Sequence, residues 1–154
     1  MFDFSAKGTN FTDFSFVNSD VIKTLKVAGD FTKSLNIYNV PNVTELAVGQ
    51  INVEVMDLHN LNLSSLDLTN NTNLKELYLQ NNKLTSLNLS KNTKLTKLNL
   101  SDNKLQSINI RNNTLLTEFI CSNNSNFVPN NKSHFIYERL ERAFGYGLFD
   151  QSRL

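Results

Sequence analysis

The chain has one cysteine, two histidines, five glycines and almost no net charge, and each shortage closes off a class of function. Cys121 cannot staple a fold by itself, so it reads as a small buried core residue. No Cys/His cluster has metal-ligand spacing, and no glycine-rich phosphate loop appears, so neither a metal nor a cofactor is expected. Apolar residues make up 40% of the chain, yet none form a run of about 18, the length a bilayer-spanning helix needs. The opening Met1-Phe2-Asp3-Phe4-Ser5-Ala6-Lys7-Gly8 has an early acid and no apolar stretch, so it does not read as a signal peptide. A charge of +1 calls for neither nucleic acid nor membrane insertion. The expected setting is cytoplasmic or virion-associated. At 154 residues the chain is one domain by length, able to bury roughly 68–70% of its unfolded surface.

What the chain has in abundance is leucine and asparagine, at fixed places. The pattern L-x-x-L-x-L-x-x-N-x-L occurs as Leu74, Leu77, Leu79, Asn82, Leu84 and again as Leu95, Leu98, Leu100, Asn103, Leu105. A third copy reads Leu116, Phe119, Cys121, Asn124, with Asn126 in the last place. Successive copies lie 21 residues apart. A period in this range with this pattern signals a solenoid in which each coil buries its leucines against its neighbours. The L-x-L segment reads as a short strand, with its leucines inward and the residue between them outward. Asn82, Asn103 and Asn124 form an expected ladder, since an amide both donates and accepts where the buried chain turns. The other half of each coil reads Leu63, Leu66, Leu68, Asn71-Thr72, then Leu84, Leu87, Leu89, Asn92-Thr93, then Leu105, Ile108, Ile110, Asn113-Thr114.

Over Leu61–Asn124 these motifs resemble the leucine-rich repeats of bacterial internalin-type surface proteins, in their 21-residue form. Leu79, Leu100 and Cys121 stand where such repeats often carry a cysteine. The resemblance implies a leucine-rich-repeat solenoid of the α/β type, with parallel strands on the concave face and turns or short strands on the convex side. It also implies protein binding or adhesion at a surface.

The register extends forward and back. Stepping by 21 gives Phe14, Leu35, Met56, Leu77, Leu98 and Phe119, all apolar, so six rungs are expected. The convex series Leu25, Leu46, Leu66, Leu87, Ile108 contains one step of 20. Residues 1–127 are assigned to the solenoid, with 1–20 as an N-terminal cap built on Phe2, Phe4, Phe11, Phe14 and Phe16. Residues 128–154 are assigned to a capping helix and tail. Ser133 is a suitable N-cap, Ile136, Leu140, Ala143 and Phe144 share one face, and Gly145 follows the end.

Catalysis needs a nucleophile, acid or base held in a pocket with partners. The sequence offers only His59 and His134, and no enzymatic role is expected. The outward columns of the concave face are the better place to look. They read Asp13, Ser34, Val55, Glu76, Lys97, Glu118; Ser15, Asn36, Asp57, Tyr78, Asn99, Ile120; and Val17, Tyr38, His59, Gln80, Ser101, Ser122. Tyr38, Asp57, His59 and Tyr78 fall on three consecutive rungs and form the candidate contact patch, because tyrosine is enriched in binding hot spots. The leading expectation is a non-enzymatic protein–protein interaction module. The alternatives are a structural subunit of a larger assembly, a virion or surface layer, docked through its termini, and a surface adhesin.

Overall fold

The computed structural model describes residues 2–18, 23–49 and 51–124, with side chains for 13, 15–18, 23–27, 33–49 and 51–124. The chain winds as a solenoid of parallel strands, about five turns at a spacing of 21 residues. The strands are β1 (Phe2–Val17), β2 (Thr24–Tyr38), β3 (Glu45–Val48), β4 (Val55–Asp57), β5 (Glu76–Tyr78), β6 (Lys97–Asn99) and β7 (Glu118–Ile120). Their order in the sheet is β1-β2-β4-β5-β6-β7, with β3 beside the first half of β2. Phe14 pairs with Leu35, Leu35 with Met56, Met56 with Leu77, Leu77 with Leu98, and Leu98 with Phe119. The six-rung register expected from spacing is therefore the register of the backbone.

The physical reason is the inward column. Leu35, Met56 and Leu77 are wholly buried, Leu98 and Phe119 nearly so, and Ile37, Leu58, Leu79 and Leu100 repeat the pattern two residues on. Burying a leucine stabilises by roughly 1.5–3 kcal/mol. A slip of one residue would turn each of these side chains to water. The strands themselves are short, but the ladder runs past their ends. Leu58, Leu79 and Leu100 donate their N–H groups to the carbonyls of Tyr78, Asn99 and Ile120 at 2.8, 2.9 and 2.7 Å.

The α/β assignment is corrected. Among the described residues there is no helix, and the molecule is a β-solenoid. The convex apolar residues come in pairs two apart, Leu66/Leu68, Leu87/Leu89 and Ile108/Ile110, a spacing that suits extended chain rather than a helical stripe. Between and beyond them Asp67, Asn88 and Asn109 accept the N–H of Thr69, Ser90 and Arg111 at 2.9, 3.0 and 3.1 Å, closing polar turns where helix would have to run. The capping helix expected within 128–154 lies outside the described residues. Residues 2–17 form an edge strand paired with β2, with register shifts between Ala6 and Phe11 and between Phe11 and Asp13. Most side chains of the expected phenylalanine cap lie outside those described; Phe16 packs partly buried against the core.

Two buried asparagine columns close the corners. Asn103 donates to the carbonyls of Leu79, Leu100 and Ser101 at 2.9, 3.1 and 3.1 Å and accepts the N–H of Leu84 at 3.0 Å. Asn82 and Asn124 repeat the arrangement one coil either side. Across the core Asn92 donates to Leu68 and Asn71 carbonyls at 3.1 and 2.9 Å, and Asn113 to those of Leu89 and Asn92 at 3.1 and 2.8 Å. Asn71 begins this second column, bonding the carbonyls of Gly49 and Ile51.

Candidate functional site

The outward residues of the concave sheet alternate with the buried leucines, so the three columns read from the sequence stand side by side along one face. Backbone pairing sets their register: Val55 beside Glu76, Asp57 beside Tyr78, Lys97 beside Glu118.

The four residues of the candidate patch fall into two contacting groups. The Tyr38 and His59 rings stack, with centroids 4.6 Å apart and planes within 12°. The His59 Nδ1–H points at Asp57 Oδ1, 2.5 Å away, and the His59 backbone N–H reaches the same oxygen at 3.3 Å. Both side chains are about three-quarters buried, with 22% and 24% of their surface exposed. One imidazole is thus held by a ring on one coil and a carboxylate on its own. Tyr78 turns the other way along its strand. Its hydroxyl donates to Glu76 Oε2 at 2.8 Å, and Glu76 Oε1 takes the Lys97 ammonium at 3.1 Å.

This second group carries the perturbed titrations of the face. The Tyr78 hydroxyl holds the Glu76 carboxyl below its ordinary value; partial burial works against this, and Lys97 adds to it. Burial first, and then the Glu76 carboxylate that accepts its proton, push the Tyr78 phenol up to about 12. Glu118 and Asp57 add to that push. Tyr78 is therefore a neutral hydrogen-bond donor with a fixed direction, poorly suited to act as a base.

Further along the face Ser34 donates to Asp13, and Asn36 to Ser34 at 3.4 Å. Asn99 accepts both the hydroxyl and the N–H of Ser101, at 2.9 and 3.0 Å. Glu76 and Lys97, neighbours in one outward column but not part of the candidate patch, join it through Tyr78. The sequence signal for that link was their place one rung apart and two residues from the tyrosine.

A further column was not anticipated. Asn18, Asn39, Asn60, Asn81, Asp102 and Asn123 all adopt left-handed backbone, with φ between 55° and 57°. Asparagine and aspartate tolerate this region better than other residues with a Cβ. Each lies just past the concave strand and makes the chain turn off the sheet. Their side chains are joined along the solenoid, Asn60 donating to Asn39 at 2.7 Å, Asn81 to Asn60 at 2.6 Å and Asn123 to Asp102 at 2.8 Å. The signal was available: an Asx residue every 21 positions from 18 to 123.

Among the described residues no group of three or more His, Cys, Asp or Glu side chains could hold a metal ion. No helix among them is long and apolar enough to cross a membrane. No protein-family model matches the chain, and no curated protein matches it.

Proposed function

We propose that the chain is a leucine-rich-repeat module of the internalin kind, with no enzymatic activity, that binds another protein across its concave face. The repeated leucines and asparagines at 21-residue spacing support the family reading. The observation that carries the binding reading is the patch of Tyr38, Asp57, His59 and Tyr78. These four side chains occupy neighbouring rungs of one sheet, half-buried, each oriented by a contact on the protein itself. Side chains ordered before binding lose little entropy on association, and tyrosine presents a large amphipathic ring with few rotors. The strands beneath are fixed by the stacked core, so the patch is held at a constant pitch. Cytoplasmic or virion-associated settings both suit such a module.

A photo-crosslinking residue in place of Asn36, which lies beside the patch on the same face, tests the reading. It should capture a protein partner, and Tyr38→Ala or Tyr78→Ala should then weaken that partner's binding about tenfold or more. Unchanged affinity in both variants would remove the patch as a contact surface.

A further inference from the structure

The concave face differs in charge from the chain that carries it. Its three outward columns hold four carboxylates, Asp13, Asp57, Glu76 and Glu118, against one ammonium, Lys97, for a net of −3 with histidine neutral. The whole chain is +1, so the residues outside these columns sum to +4. The carboxylates are spread from the first rung to the last, so the face is an acidic strip with the tyrosine and histidine rings near its middle. On the ground of the interaction reading above, we infer that the concave face takes an extended, cationic peptide segment, rich in arginine or lysine, of a partner protein.

Three features of the face fit that occupant. Asp13 and Glu118 are exposed at the two ends, where an incoming cation meets them without displacing a partner of comparable strength. Asp57 is held in place by His59, and Glu76 by Tyr78 and Lys97, and a carboxylate that accepts two hydrogen bonds keeps further lone pairs for a guanidinium. The aromatic rings lie between the acids, and a neutral phenol ring offers its electron-rich face to a cation. The dimensions fit as well. Six rungs at about 4.8 Å span roughly 24 Å, which an extended peptide covers with about seven residues. An acidic or neutral segment would find the same rings, but it would meet a face of net −3 or leave that charge unanswered.

The test uses the full chain and three fluorescein-labelled eight-residue peptides, alternating serine with arginine, glutamate or glutamine, read by fluorescence anisotropy. The arginine peptide should bind at least about tenfold more tightly than the other two, and less tightly as salt rises. D57N/E118Q should weaken it, roughly two- to fivefold for each carboxylate. K97Q should strengthen it, because the one opposing charge leaves the face, whereas Lys83→Gln, off that face, should change nothing. Equal binding of the three peptides overturns the inference, and so does arginine-peptide binding that D57N/E118Q and K97Q leave unmoved. Failure of the broader reading looks different. A crosslinked partner that meets the face through a neutral or acidic segment sinks the cationic occupant alone, while no crosslink from position 36 to any protein sinks both.

Discussion

In the front of the solenoid two strands of 16 and 15 residues run side by side, while from Val55 onward no strand exceeds three. The place of the buried Asn82 is filled in the front by Val40 and Leu61, both buried and neither able to bond a turn. The two regions bury the same kind of core, and they differ in where buried backbone groups find partners. In the front the long pairing of β1 with β2, interrupted by register shifts between Ala6 and Asp13, supplies partners along both strands. In the rear each corner leaves carbonyls inside, and asparagine amides from the same and the next coil reach them. A buried backbone group must be paired one way or the other. Long strands and asparagine columns thus answer the same need, and the coil of β4, with three strand residues and Leu61 at the corner, is served by the Asn82 amide of the next coil at the Leu58 carbonyl.

The comparison can be broken or sharpened by substitution. Both regions depend on the shared interior, so Leu77→Ala should have the largest effect, about 2–5 kcal/mol, because neighbouring coils cannot close over the gap. Urea denaturation monitored by circular dichroism measures it. Asn103→Leu separates the regions. Although leucine is the more apolar residue, it takes from the Leu84 N–H its acceptor and from the Leu79, Leu100 and Ser101 carbonyls one of their two donors, and a cost of roughly 1–3 kcal/mol is expected. A neutral Asn103→Leu would mean that the rear does not rely on its ladder. At the left-handed corner Asn81→Ala should cost about 1–2 kcal/mol, whereas Asn81→Gly restores the turn and should stay much closer to the parent.

The smallest effect concerns pH. Tyr78 has a folded-state value of about 12 against an ordinary 10, so its contribution is fully present below pH 10 and is lost as pH rises towards 12. Ultraviolet titration should show a phenol ionising near pH 12 that Tyr78→Phe removes, and the same change should flatten the alkaline fall in stability. The same change removes the main cause of the lowered Glu76 value. Its carboxyl, followed by NMR, should then titrate nearer 4.5.

The concave register was legible because apolar residues recur every 21 positions, and a period survives even when consensus letters change. The length of the front strands was not legible. Spacing placed Phe14 and Phe16 on a rung, but how far the strand runs toward Phe2 is carried by main-chain bonding that side-chain type reports poorly. The α/β label followed from family likeness, whereas Leu66/Leu68 and Leu87/Leu89, paired two apart, already suited the turns or short strands expected on the convex side. Within the patch the column positions of Tyr38, Asp57, His59 and Tyr78 could be read from spacing. Which neighbour each side chain grips could not, since Tyr38 turns across to the next coil and Tyr78 turns back along its own strand.

The left-handed corner after every concave strand gives the molecule a quantised length. Because Asn60, Asn81 and Asp102 send the chain off the sheet at the same point of each coil, excision of residues 74–94 would join Asn73 to Leu95 with every remaining side chain still on its proper side. Excision of one residue fewer would rotate the following wall inside out. Such a scaffold can lengthen or shorten its reach only in whole coils, carrying one new triplet of exposed side chains with each.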